Sequence, residues 1–154
     1  MKRIITLLAI LATMFAGQKA LAQNKLNESA DSLLGKYESV QGGDRFRAEI
    51  SKEAEGTYRC QIYWIENPID AKTGKKALDT KNPDKSLRNV PCDEVVLFKG
   101  LKYNAEKKQW DGTKIYDPQR GIRANVTVKF LEDGRLCLRG TVLGIGEKVY
   151  WTKL

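Results

Sequence analysis

The chain predicts an all-β protein: a single closed or nearly closed antiparallel barrel of about eight strands, with one long loop carrying a short helical turn. Three observations lead there. Apolar and polar residues alternate with a period of two along most of the chain, turn signals recur at regular spacing between those runs, and no segment carries a convincing amphipathic helical pattern. Closure follows from the count, because an eight-stranded meander that joins its first and last strands has no exposed edges.

The N-terminus comes first. Lys2 and Arg3 precede an apolar run from Ile4 to Ala16, and Ala20 and Ala22 flank Leu21. This is the pattern of a secretory signal peptide over residues 1–22, cleaved after Ala22. The run is shorter than the roughly 20 residues a bilayer span needs, and no other stretch would span. The expected location is therefore periplasmic or extracellular. Residues 23–34 read as a linker or short helix, and residues 35–154 as the barrel domain.

The first strand is expected in "GKYESV", ended by Gly42 and Gly43. In "DRFRAEISKE", Phe46, Ala48 and Ile50 alternate with charged residues, and "TYRCQIYWI" places Tyr58, Cys60, Ile62 and Trp64 on one face. Alternation then stops from Glu66 to Pro91. It resumes in "VVLFKGLKY", continues in "QWDGTKIYD", and is clearest in "IRANVTVKFL", where Ile122, Ala124, Val126, Val128 and Phe130 are alternate residues. "RLCLRGTVL" and "EKVYWTKL" complete the set, with "GIG" as the turn between them. Phe46, Tyr58, Trp64, Phe130 and Trp151 are bulky enough to fill much of an interior.

The long interruption contains "LDTKNPDKSLRNVPC", residues 78–92. Long connections without strands of their own are commonly functional. Asn82 is expected as the N-cap of one helical turn in "DKSLR", with Pro83 at the first helical position, Asp84 at its positive end and Pro91 as its stop. Asp79, Thr80, Asn82 and Asp84 would offer oxygen ligands, but without the glycine and closing glutamate of a calcium loop, and no metal site is assigned.

Composition excludes several chemistries. The chain has no histidine, which removes Ser-His-Asp and Cys-His catalysis, histidine-ligated zinc and histidine pH switching. No nucleotide-binding or nucleophile-elbow motif is present, and no cofactor is implied. Net charge falls from +8 to about +5 once Lys2, Arg3 and Lys19 are set aside. The basic residues are interspersed with acidic ones, which does not suit nucleic acid. Cys60, Cys92 and Cys137 are an odd number, leaving either one bridge and a free thiol, with three pairings open, or small buried apolar side chains. Asp111 and Asp117 are the candidate acid/base pair, but "WDG" and "YDPQRG" are turn contexts in which aspartate bonds its own backbone, so no catalytic residue is assigned.

The segments "YWI", "DTKNPDKSLRNVP", "WDGTKIYDPQRG" and "GTVLGIGEKVYWTKL" resemble a bacterial secreted family, domain of unknown function 2147, over nearly all of the chain after residue 22. That barrel looks like those of lipocalins and other calycins. The resemblance implies a signal peptide, a closed antiparallel barrel and no assigned activity. It also implies a closure group of Gly35, Tyr37, Trp151 and Lys153, in which a last-strand cation lies over a first-strand aromatic ring. Here tyrosine and lysine stand where many members have tryptophan and arginine. Glu55 occupies the first of two cysteine positions in the second hairpin, so that bridge cannot form.

Two roles are expected from these readings. One is a non-catalytic barrel that binds a small apolar or amphipathic ligand, with the long loop covering one mouth. The alternative is a filled barrel that holds an envelope protein or glycan on its loop surface; a carboxylate enzyme ranks third. Candidate ligand or surface residues are Trp64, Asp79, Asn82, Arg88, Tyr116 and Asp117.

Overall fold

A computed structural model describes residues 25–154; the export signal expected at residues 1–22 lies outside them. Eight strands form one closed antiparallel barrel in chain order: β1 Gly35–Gln41, β2 Asp44–Lys52, β3 Tyr58–Ile65, β4 Val96–Asn104, β5 Gln109–Asp117, β6 Ile122–Phe130, β7 Leu136–Val142 and β8 Ile145–Lys153. The seam between β1 and β8 is short, with Tyr37 opposite Lys153 and Glu38 opposite Thr152. Among the described residues no helix is long and apolar enough to cross a membrane.

Period-two burial carries most of the core. Ala48 and Ile50 of β2 face inward, as do Tyr58, Cys60 and Ile62 of β3, and Val126, Val128 and Phe130 of β6. Strand β3 breaks its period. Arg47 lies opposite Trp64 and Ala48 opposite Ile62, so Tyr63 is the extra residue of a β-bulge. The bulge turns Trp64 to the outside, where the Arg47 and Arg45 guanidinium groups lie 4.8 and 5.7 Å from its ring centroid. The expectation that Trp64 faces the interior is therefore corrected. A second bulge, at Asp111-Gly112 between Trp110 and Thr113, puts Asp111 inside a strand and not in a turn.

One end of the barrel is filled and capped. Tyr37, Tyr103, Trp110, Phe130 and Trp151 pack there with ring centroids 5.2 to 6.3 Å apart, and residues 25–34 lie across the base. The aromatic polar atoms hold that segment. Tyr37 Oη donates to Leu33 O at 2.8 Å, Tyr103 Oη to Asn27 O at 2.6 Å, and Trp110 Nε1 to Ala30 O at 3.1 Å. The Asn27 side chain bonds both backbone groups of Phe130. What reads as a linker in sequence, with one 3-10 turn at Ala30–Leu33, is the floor of the barrel.

Candidate functional site

Above the aromatic floor the barrel is open. A cavity of about 600 Å³ runs from Trp151 to the opposite mouth. Its wall is built from inward positions: Phe46, Ile62, Leu97, Ile115, Ala124, Leu138 and Val149, with Gly140 leaving room beside Ala124. Most of these residues alternate with outward polar neighbours on their strands; Leu97 lies between Val96 and Phe98, where the β3–β4 register shifts. Charge enters only at the mouth. Arg120 lies across it, donating from Nε to Asp117 at 2.7 Å and from Nη2 to Glu147 at 2.7 Å, while Arg45 pairs with Glu66 at 3.0 Å. Both carboxylates hold Arg120 protonated, and Arg120 holds Glu147 below the usual carboxylate range. The Trp151 indole Nε1 is buried without a partner, so Trp151 meets the cavity by packing alone.

The long loop is part of the wall. β4 and β5 pair in the ladder only over Lys102–Asn104 and Gln109–Asp111, and beyond it Thr113 Oγ1 donates to Lys99 O at 2.8 Å, which leaves Lys114–Asp117 without a β4 ladder partner. The loop borders the cavity here. Leu78 pairs with Pro91, Cys92 N donates to Ala77 O at 2.9 Å, and Ala77 and Cys92 both line the cavity. Further along, the loop lies on the outer face of β5. Tyr116, which borders the cavity together with Ile115 and Asp117, donates from Oη to Asp79 Oδ1 at 2.7 Å, and Asn82 Nδ2 donates to Asp79 Oδ2 at 2.8 Å. The expected lid over the mouth is thus replaced by a wall segment.

Local chemistry explains the loop's order. The 3-10 turn is Lys85–Leu87, capped by Asp84, whose carboxylate accepts from Ser86 N at 2.9 Å. Asn82 is not that cap; its Oδ1 accepts from Asp84 N at 3.0 Å, one step earlier. Arg88 Nε donates to Asn82 O at 2.8 Å, closing the turn on itself. Gly121 approaches from the β5–β6 turn so closely that an added Cβ would collide with Lys81 O. Both carboxylate oxygens of Asp79 and Oδ1 of Asp84 accept from protein donors.

The other sequence candidates separate. Asp117 accepts from Gln119 N and Arg120 N, the turn bonding expected of it. Asp111 sits at the other end of β5, six residues or about 20 Å away, so the two carboxylates do not meet. Tyr116, expected on an exposed loop surface, is 1% exposed; the loop covers it. The three cysteines are free: Cys60 is in the core with burial pushing its thiol up, Cys92 lines the cavity and Cys137 faces outward. At the closed end Lys153 Nζ is 5.7 Å from the Tyr37 ring centroid, its pKa lowered by burial, and donates to Ser32 O at 3.0 Å. Gly35 has φ 137° and lies against the Lys153 side chain.

Comparison with known proteins agrees with this geometry. Among solved structures the chain is similar to HP1028 from Helicobacter pylori, described as belonging to the lipocalin family. The match has a TM-score of 0.60 and 23% identity, and covers 79% of this chain and 82% of that one. That likeness establishes the fold, a lipocalin-like barrel. No curated protein matches the chain. The profile of DUF2147, described as an uncharacterized protein conserved in bacteria, matches residues 35–153, the whole barrel from β1 to β8, and the chain belongs to that family.

Proposed function

We propose that the protein is a binding barrel, not an enzyme, and that it takes a small apolar or amphipathic molecule into the cavity between Trp151 and the Arg120 mouth. The observation that carries this reading is the division of the interior. Half is packed solid with aromatic rings, while the other half is an open apolar chamber of about 600 Å³ with ionic groups only at its rim. A folded chain does not leave such space unfilled without a free-energy penalty, because interiors otherwise reach close packing. Apolar chambers of this size with a few polar groups at the entrance suit a ligand whose body is apolar and whose head is polar. Asp117, Arg120 and Glu147 would meet that head. The neighbour described as a lipocalin supports the same role.

The alternative, a filled barrel presenting Arg88, Tyr116 and Asp117 to a partner, has less support, because Tyr116 is buried and the chamber is open. Action outside the cytoplasm belongs to the proposal and rests on the signal-like residues 1–22. The test is solvent extraction of the purified protein with mass spectrometry, together with titration by a panel of fluorescent lipids. Bound apolar material and saturable binding are expected. Their joint absence would overturn the reading.

A further inference from the structure

The turn between β7 and β8 breaks two local rules at once. Val142 pairs with Ile145, so Leu143-Gly144 is a two-residue hairpin loop, and both residues have positive φ, 49° and 80°. That backbone favours Asn-Gly; a leucine there is strained. Leu143 is also 98% exposed and Ile145 76% exposed. At the same end of the barrel the β1–β2 turn makes the same two-residue connection with Gly42-Gly43 and presents no side chain. Together with Val142 and Ile122, which also line the cavity mouth, Leu143 and Ile145 form a projecting apolar lip. A local rule broken without a packing gain marks a functional position.

Beside the lip the outer wall is basic. The outward positions of β6, β7 and β8 carry no aspartate or glutamate; toward the lip they carry Arg123, Arg139 and Lys148, all exposed, while Lys129 lies at the floor end opposite Cys137. Lys114 of β5 adds to the same face, in register with Asn125. Arg139 lies directly opposite Lys148, a like-charge pair that destabilises a sheet unless an anion offsets it. Neither forms an ion pair with a described residue. Both stand three residues back from the hairpin's ends, about 10 Å above the lip. That is the separation between the acyl boundary, where an apolar tip would sit, and the headgroups that basic side chains would meet.

We propose that the β7–β8 lip and the Arg139/Lys148 face dock the protein on an anionic lipid bilayer, with the cavity mouth at the membrane surface. A convex apolar tip flanked by unpaired cations suits a bilayer, where a protein partner would call for a groove. The proposal goes beyond ligand binding and does not require it. Of the acids at the mouth, Asp117 and Glu147 share Arg120 and Glu66 pairs with Arg45, which leaves Asp44 of β2 as the acid without an ion pair among the described residues, set against the cations of the β6–β8 face.

The test is vesicle flotation of residues 23–154, which contain the whole closed barrel and its floor. Phosphatidylglycerol–phosphatidylethanolamine vesicles are compared with phosphatidylcholine alone. Binding to the anionic vesicles is expected, weakening with salt. Leu143→Asn, which suits the turn and so preserves the fold, should lower apparent affinity about tenfold. The double variant Arg139→Gln/Lys148→Gln should lower it by more than about tenfold. Equal binding to neutral vesicles, or anionic binding unchanged by Leu143→Asn, would overturn the proposal. So would a vesicle-free sedimentation shift abolished by Leu143→Asn, which would make the lip a contact between two copies. Ligand titration in solution should be unaltered by Arg139→Gln/Lys148→Gln, whose side chains face away from the cavity, so failure here is distinguishable from failure of the cavity reading.

Discussion

Asp79 shows how much one buried side chain decides. It is 3% exposed, and its two oxygens accept from Tyr116 Oη and Asn82 Nδ2. Asp79→Ala leaves two buried donors without partners and should destabilise the barrel by about 2–4 kcal/mol in urea unfolding. Tyr116→Phe leaves the carboxylate short of one donor and should cost about 1–3 kcal/mol. The phenols also set a pH limit. Burial, and second the Asp79 and Asp31 carboxylates, raise Tyr116 and Tyr58 above the ordinary value of 10.0, and burial does the same for Tyr37. A raised folded-state value means that the neutral form is favoured by folding. Its contribution is complete below the unfolded value and is lost as pH rises through the folded one. Thermal unfolding followed from pH 7 upward should show stability declining above about pH 10, less steeply in Tyr116→Phe.

At the scale of elements, hairpins and the long loop respond to different physics. Leu143→Asn replaces a strained residue by one that the turn favours, and should raise stability by about 0.5–1 kcal/mol in chemical denaturation. Gly121→Ala does the opposite. Its φ of 67° and the closeness of Lys81 O leave no room for a methyl group. Loss of about 2 kcal/mol or more is expected, with faster amide exchange in residues 78–92. The strands were legible because alternation is a local signal, and all eight appear where the residues place them. Trp64 was not. A bulge at Tyr63 shifts the period by one, and nothing in "YRCQIYWI" marks which residue is extra. The loop's helical turn was legible from its Asn-Pro-Asp start, although the cap is Asp84, because Asn82 is drawn away to Asp79.

For the whole molecule, the sequence carried the fold but not its interior. Periodicity tells which residues face inward; it does not tell at what height along the barrel each lies, so a filled base and an empty upper half read alike. The floor was illegible for a related reason. Asn27 meets Phe130, and Trp110 meets Ala30, across separations of 103 and 80 residues, which no local pattern records. Cys60 in the core and Cys92 on the cavity wall show the same limit, since spacing says nothing of which thiols are enclosed. The central claim concerns that empty half. The measurement that tests it most directly is titration of a fluorescent amphiphile into the wild-type protein and into Ala124→Trp, whose side chain would occupy the chamber beside Gly140 and Leu138. Saturable binding by the wild type, weakened about tenfold or more in a variant with unchanged circular dichroism, is the predicted result. Absence of saturable wild-type binding, or equal binding by a folded Ala124→Trp, would contradict the account.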